Sequence, residues 1–375
     1  MMKMEQSKIT LLDKIVSKQN IYNSIYSLES YVFDKGLLDT KSPVKGDSGE
    51  ILAENDLELF YALGDKYNFK LIDKIIELCE QRLNWLFESK EHLFEISVYF
   101  KLKGIDDNDT TLKFRPLHTA RLLDMICMVS ILMDLMFEDN CNQRKLSDLS
   151  KLIPHNFYGN VPSTAVESLF RRWKNQYQEY TQNIIEHCRA YQDNHRFLTE
   201  VSLDIKNFFP SVSPQFLYDY ILDKLSATYT DKDDLATLKK AVSKLLFFQI
   251  KKDNIEPWLE DYYAKSDVRS VTGEAYMNCG IPQGLPQSYF FGNLCMIEVK
   301  KLLVQKEIFD GDAYFYVDDS VIYIQSEIDK NLFEMRLRHL NALLEEFCIA
   351  HRSSSKDISE VLPQKYVDFQ NQLSY

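Results

Sequence analysis

Three aspartates in two short segments have the residue types that phosphoryl transfer requires. Asp204 ends an apolar run, and the adjacent pair Asp318 and Asp319 follows Tyr316-Val317. Transfer to a sugar hydroxyl uses two divalent ions, about 3.5–4 Å apart, which activate the attacking oxygen and neutralise the leaving pyrophosphate. Carboxylate oxygens are hard ligands suited to Mg²⁺, with Mn²⁺ as the alternative ion. The sequence therefore predicts a two-metal site built on Asp204 and Asp318.

Neighbouring strands must position these carboxylates. Residues 196–203 are rich in β-branched and aromatic side chains, which favours a strand that ends at Asp204. Residues 313–324 indicate two strands folded over a tight turn, whose apolar flanks bury their faces and leave the acidic pair in the turn. Because adjacent carboxylates repel each other, cations are expected close to this turn.

A third segment lies between the two acidic ones. It reads Gly280-Ile-Pro-Gln-Gly-Leu-Pro-Gln-Ser288 and leads into a helix predicted at 286–306. Each segment alone is weak evidence, since a Tyr-x-Asp-Asp tetrapeptide is common enough to occur in a surface turn. Their occurrence in order within about 120 residues favours one composite site.

Apolar periodicity predicts helices along most of the remaining chain, at residues 8–34, 56–103, 122–137, 164–193, 214–226, 233–250 and 329–350. Glycine and proline among charges favour a loop at 36–55, and residues 111–121 predict a short hairpin. Residues 252–280 have no clear period. The pattern predicts one mixed α+β domain with a helical front end.

The composition is globular with an acidic balance. The chain has 375 residues, is 45% hydrophobic and carries a net charge of −12, which argues against indiscriminate duplex binding. Basic stretches at 171–174, 239–240 and 251–252 fit either solvated helix faces or local nucleic-acid contacts. Seven scattered cysteines predict neither a disulfide framework nor a zinc site. With no apolar signal core or membrane-span stretch, a cytoplasmic protein with no membrane partner is expected.

The ordered segments resemble the reverse transcriptase family. Residues 204–211 are similar to its motif A, 280–288 to motif B and 316–319 to motif C, and Arg115-Pro-Leu, Arg121-Leu-Leu-Asp124 and Phe157-Tyr-Gly-Asn160 resemble the finger motifs of bacterial members. The resemblance extends from about residue 11 to 356. It implies an α+β right-hand polymerase fold: a helical N-terminal extension (1–55), fingers (56–200), a palm (201–356) with a helical insert at about 214–270, and a tail (357–375).

The resemblance also implies roles for individual residues. The metal ions would be held by Asp204, Ile205, Asp318 and Asp319, and the three aspartates form the catalytic set. The triphosphate and the incoming nucleotide would be bound by Lys113, Arg115, Arg121, Gln283 and Gly284.

Phe209 occupies the position of an aromatic steric gate against a ribose 2′-hydroxyl, which implies a preference for deoxynucleotides. Its neighbour Phe208 is expected to point into the core, because successive side chains of a strand alternate. Lys356 lies near the position of a lysine that protonates pyrophosphate, with a solvated lysine as the alternative.

The chain departs from processive family members, because it stops at Tyr375 and no thumb is evident. With the acidic balance, this resembles the bacterial abortive-infection and defence-associated reverse transcriptases of the AbiA and AbiK type. That type implies antiphage defence in the bacterial cytoplasm and DNA synthesis from deoxynucleoside triphosphates without an ordinary template. It also implies a DNA product linked to a protein hydroxyl, and reliance on a homo-oligomer, a partner or a missing C-terminal helical domain. The alternatives are a retron-like enzyme copying an RNA template and a catalytically idle nucleic-acid-binding or assembly module.

Overall fold

The amino-terminal part of the computed structural model is helical, with α1 (Leu11–Ile15) and α2 (Lys18–Lys35). The single helix predicted over 8–34 is divided because Ser17 starts a new helix, its hydroxyl accepting from the backbone N–H of Asn20 at 3.2 Å. The structure describes residues 9–35, 38–65, 67–105, 112–139, 144–193, 199–205, 208–251, 256–257, 280–305, 312–324, 331–332, 334–339, 342 and 361.

The next segment contains a small hairpin where a loop was predicted. Strands β1 (Val44–Lys45) and β2 (Ile51–Ala53) pair antiparallel and lead to α3 (Asp56–Gly64) and α4 (Phe69–Glu88). The periodicity of α4 is confirmed, since one face is buried through Ile72, Ile75, Ile76, Cys79, Leu83 and Leu86.

The helical prediction for 56–103 is wrong beyond Glu88. Residues Phe94–Ile105 form a long strand, β3, which pairs antiparallel with β4 (Leu112–Ala120). Phe94, Ile96 and Val98 are all buried, and this period of two belongs to a strand. The segment predicted as a short hairpin at 111–121 is thus a single strand, β4, of the longer β3–β4 hairpin.

A strand from far along the chain completes this sheet. β9 (Phe248–Lys251) pairs parallel with the Phe94–Ser97 end of β3, giving the order β4-β3-β9. The helix predicted at 233–250 therefore ends early, as α10 (Lys232–Leu246). Its partner α9 (Pro214–Leu225) agrees with the prediction for 214–226.

The central helix is α5 (Leu122–Met136), and it is buried on almost every side. It packs against α2, α4, α10 and α11 (Pro286–Gln305). A helix that is apolar all round belongs inside a core. The predictions for 122–137 and 286–306 are confirmed as helices to within one residue.

A four-stranded sheet carries the predicted acidic residues. Its order is β7-β10-β11-β8, from strands β7 (Phe157–Tyr158), β10 (Ala313–Tyr316), β11 (Asp319–Ile324) and β8 (Thr199–Asp204). The prediction of two strands over a tight turn at 313–324 is confirmed. Helix α7 (Trp173–Asp193) packs on β7 and β10, and begins nine residues later than the predicted start at 164.

The remaining elements are short. They are β5 (Phe137–Asp139), β6 (Lys145–Leu146), α6 (Asp148–Lys151) and α8 (Phe208–Ser211). Among the described residues after β11, 334–339 are helical within the predicted 329–350, and Val361 is buried in the core. Lys356 and the rest of the tail 357–375 lie outside the described residues.

Two strands pair with strands on the other side of the predicted domain limits. Phe157–Tyr158, in the segment assigned to the fingers, pairs with β10 of the acidic sheet, and Phe248–Lys251, in the segment assigned to the palm, pairs with the β3–β4 hairpin. One apolar cluster contains residues from Leu11 to Val361. The described core therefore draws residues from every one of these intervals.

Candidate active site

The two acidic segments meet on adjacent strands. Asp204, the last residue of β8, lies directly opposite Asp319, the first residue of β11, and Asp318 occupies the two-residue turn before it. Val317, the other turn residue, has a φ of 58°. A β-branched residue in this left-handed region is strained, and such strain clusters at functional sites.

The carboxylates of Asp204, Asp318 and Asp319 repel one another. Burial raises the pKa of Asp318, and the negative charges of Asp319 and Asp204 raise it further, while its backbone N–H and the Arg115 guanidinium act in the opposite direction. Burial and the charge of Asp204 likewise raise the pKa of Asp319. Carboxylates held together under these conditions are stabilised by a cation.

The donor chemistry fits a hard divalent ion, because three carboxylates share the end of one sheet. The side chains are not closed around such an ion: in the described part of the chain, no three or more His, Cys, Asp or Glu residues form a ready ligand group. Asp204 is exposed, so its side chain has room to turn towards Asp318. Ile205 follows Asp204 at the end of β8, and only its backbone carbonyl oxygen could coordinate a metal ion.

The Gly280–Ser288 segment is fixed beside the acidic turn by backbone contacts. Ile281 N–H donates to the Phe209 carbonyl at 2.9 Å, and His118 N–H donates to the Gln283 carbonyl at 2.7 Å. These bonds join the segment to both α8 and β4.

Both glycines of this segment are required by space and conformation. Gly280 has a φ of 81°, and a Cβ there would lie 2.3 Å from the Phe209 carbonyl oxygen. Gly284 has a φ of 116°, and its Cβ would lie 2.4 Å from the His118 carbonyl oxygen. Only glycine allows this approach of three backbone segments.

An open cleft of about 670 Å³ lies in front of the acidic turn, which is within the usual size range of ligand pockets. The structure brings six predicted site residues together along it: Arg115, Phe209, Gln283, Gly284, Asp318 and Asp319.

Phe209 reaches the cleft from a buried position. It is 5% exposed, and its ring centroid lies 5.5 Å from that of Tyr289. The prediction that Phe208 points into the core is confirmed, since it is buried, but the strand alternation given as its reason is wrong, because both phenylalanines lie in the helical turn α8 and both are buried. A helical turn places neighbouring side chains about 100° apart rather than on opposite faces.

Two cations face the cleft from the β3–β4 hairpin. Lys101 and Arg115 are directly opposed across the two strands, and both line the cleft. Like charges in opposed positions destabilise a sheet, so this pair is costly unless an anion lies between them. Lys113, predicted to join them, pairs with Gly104 farther along the hairpin and is not a lining residue.

Arg121 is not brought to the cleft. Its guanidinium makes two hydrogen bonds with the buried Asp56 carboxylate, at 2.8 and 3.0 Å, and a third with the Ser42 carbonyl at 3.1 Å. The family resemblance implied a phosphate ligand, but the side chain joins α3 to the start of α5. Arg121 therefore has a structural role in this arrangement.

Several residues of the site were not predicted as site residues. The Tyr31 hydroxyl of α2 donates to the Gly284 carbonyl at 2.7 Å. The Asn293 side-chain amide donates to the carbonyls of Gly159 and Asn160, both at 3.1 Å, and so holds the turn after β7. Other lining residues that were not predicted are Tyr99, Lys101, Leu117, Trp173, Tyr289 and Tyr316. The available signals were the places of Asn160 and Tyr316 in segments that resemble family motifs, and of Trp173 in the basic stretch 171–174.

No protein-family model matches this sequence, and no curated protein shows significant similarity to it. Within the described residues, every helix is too short or too polar to cross a membrane.

Proposed function

We propose that this chain is a reverse-transcriptase-like nucleotidyl transferase that extends DNA from deoxynucleoside triphosphates. The observation that carries the proposal is the β10–β11 turn, which holds Asp318 beside Asp319 and sets Asp319 opposite Asp204. Such a group costs stability, because burial and mutual repulsion raise the carboxyl pKa values of Asp318 and Asp319. The strained Val317 adds to that cost.

In the proposed reaction, the chain binds and orients the nucleotide. Lys101 and Arg115 face the triphosphate oxygens from the hairpin, and Arg115 contributes a planar guanidinium that can bind two of them. Gln283 and Gly284 form the wall beside the base and sugar. Phe209, packed against Tyr289, is the side chain that would exclude a 2′-hydroxyl.

The Asp204 and Asp318 carboxylates, with Asp319 and the Ile205 carbonyl, would hold two divalent ions. When bound, these ions supply activation of a 3′-hydroxyl and neutralisation of the pyrophosphate charge. The antiphage role, the priming hydroxyl and the template stay predictions of the family resemblance.

The test is incorporation of labelled deoxynucleotides by purified protein in Mg²⁺, with and without a primer-template. Asp318→Asn is expected to lower incorporation by at least about 10³-fold, because transition-state charge is then poorly neutralised. The matched control is Asp223→Asn, a change at a carboxylate that is 73% exposed and pairs with Lys224.

Label that migrates with the protein and needs no template indicates protein-primed synthesis, whereas label only on the primer indicates a templated polymerase. If wild-type protein incorporates no label under either condition, with Mg²⁺ or Mn²⁺, the proposal is wrong and the site is idle.

A second readout does not depend on activity. The folded-state pKa of Asp318 is raised, first by burial and then by Asp319 and Asp204, so its negative charge costs stability at pH values above the unfolded-state pKa. In a chelator at pH 8, Asp318→Asn is expected to raise the melting temperature, and at pH 3.5 this gain should disappear. An equal effect at both pH values would mean that the pKa of Asp318 is not raised in the folded protein.

A further inference from the structure

Two large aromatic side chains are exposed beside the cleft at the start of α7. Trp173 is 44% exposed and Tyr177 is 50% exposed. They are four residues apart on a helix, so they share one face with a rise of about 6 Å between them. Trp173 lines the cleft together with Asp318 and Asp319.

This face is aligned with the acidic turn by an aromatic contact. The Tyr177 ring meets Tyr316, the last residue of β10, edge to face at 5.3 Å, and Tyr180 meets the same ring at 5.6 Å. Tyr316 closes the hairpin by pairing with Asp319. A ligand stacked on Trp173 and Tyr177 is therefore held at a fixed position relative to the carboxylates.

Positive charge accompanies the aromatic face. Arg172 and Lys174 flank Trp173 and are exposed, and the Lys174 ammonium lies 5.8 Å from the centroid of the Trp173 ring. Across the cleft stand Lys101 and Arg115. Aromatic faces next to cations are the arrangement that binds single-stranded nucleic acid, with bases stacked on rings and phosphates near the charges.

We propose that the Trp173–Tyr177 face binds a single polynucleotide strand and directs its 3′ end towards Asp318. The inference rests on the proposed function, since it names the strand that the same site would extend. Two bases stack on the two rings, and the phosphates between and beside them lie near Arg172 and Lys174. The local cations favour this strand on a chain whose net charge of −12 disfavours indiscriminate nucleic-acid binding.

The experiment measures binding rather than synthesis. A fluorescein-labelled oligodeoxythymidylate of about ten nucleotides, long enough for the roughly 4–16 nucleotides of typical sites, is titrated in chelator without nucleotides. Trp173→Ala and Tyr177→Ala are each expected to weaken binding by about 5- to 150-fold, the loss for one stacked base. Trp173→Phe, which keeps an aromatic face, should retain most of the affinity.

The matched control is Tyr61→Ala on α3, because Tyr61 is also exposed, at 69%, and lies away from the cleft. Lys174→Gln should lower the slope of log K against log salt by about 0.7, the value for one phosphate of a single strand, while Trp173→Ala should not. An oligouridylate titration shows whether the strand is DNA or RNA. Melting curves for each variant separate lost contacts from lost folding.

The two proposals fail in different ways. If Trp173→Ala and Tyr177→Ala bind the strand as tightly as wild-type protein, the inference is overturned even when synthesis occurs. If the wild-type chain binds the strand through these rings but incorporates no nucleotide, the binding face stands and the polymerase proposal falls. Asp318→Asn should retain strand binding while it loses incorporation.

Discussion

Replacement of Gly284 by alanine tests the packing that holds the cleft together. The Gly284 Cα approaches β4 so closely that an added Cβ would lie 2.4 Å from the His118 carbonyl oxygen. The obstacle is backbone, which cannot turn aside as a side chain does. The loop is also held by the His118–Gln283 backbone hydrogen bond of 2.7 Å and by the Tyr31 hydroxyl on the Gly284 carbonyl, at the same distance.

The expected loss of stability has two causes, the backbone conformation at residue 284 and the displacement of its loop. A φ of 116° is a glycine conformation, and imposing it on alanine costs about 1–3 kcal/mol. The loop must also retreat by about 0.6 Å to reach the 3.0 Å limit of real Cβ contacts, which strains the two hydrogen bonds. Together these effects give a loss of about 2–4 kcal/mol in the free energy of unfolding, or about 3–5 °C in melting temperature for a chain of 375 residues.

Nucleotide incorporation should fall by more than the loss of folding stability alone would cause. Gln283 and Gly284 line the cleft, and a shift approaching 1 Å in a positioning group costs about 10²-fold in rate. We therefore expect Gly284→Ala to reduce nucleotide incorporation by about 100-fold at a temperature where the variant is folded.

The assay combines thermal unfolding with single-nucleotide incorporation, and Gly64→Ala is the matched control. A Cβ at Gly64 meets nothing within 4 Å, and the residue ends α3, so alanine should be neutral or slightly stabilising. If Gly284→Ala keeps both the melting temperature and the rate of the wild-type protein, the contact between the Gly280–Ser288 segment and β4 is refuted.

Three further predictions follow from single contacts. Tyr31→Phe leaves the Gly284 carbonyl without its donor, and urea unfolding should show a loss of about 1–3 kcal/mol; an unchanged midpoint would contradict the contact. Burial raises the pKa of Asp134 to about 7 from 3.8, with Asn20 donating to it at 3.0 Å, so stability should fall as pH rises from about 4 to 7. Because the carboxylate is only half-buried, Asp134→Asn should gain about 2 kcal/mol at pH 8 and nothing at pH 4; equal gains would argue against burial. Phe209→Val should raise the ratio of ribonucleotide to deoxynucleotide incorporation at least about tenfold, and an unchanged ratio would remove Phe209 as the gate.

Local pattern was enough to predict the elements that carry the acidic residues. The strand ending at Asp204 and the hairpin around Asp318 each have an apolar run and an abrupt polar end within ten residues. Their pairing was inferred from chemistry, since a two-metal site needs the carboxylates adjacent. The alternation of Phe94, Ile96 and Val98 also indicated a strand, but the helical period of the preceding segment was extended over it.

What the sequence could not supply is contact between distant residues. The pairing of Phe248–Lys251 with β3 joins segments about 150 residues apart, and the Tyr31–Gly284 hydrogen bond spans 253 positions. Arg121 shows the same limit, because its motif position is compatible with a phosphate ligand until the buried Asp56 is found beside it. The residues that contact a side chain in the folded protein decide such roles, and these contacts cannot be read from the sequence.

The pairing of β9 with one end of β3 gives the hairpin an uneven stiffness. Ile96 and Ser97 are paired on both sides, with β4 and with β9, whereas from Val98 to Ile105 the described partners are those of β4 alone. The hairpin is thus supported by β9 only at its base, and Tyr99 and Lys101 lie just beyond the supported part. Bending of the hairpin beyond Ser97 would therefore change the width of the cleft on the side lined by Tyr99 and Lys101.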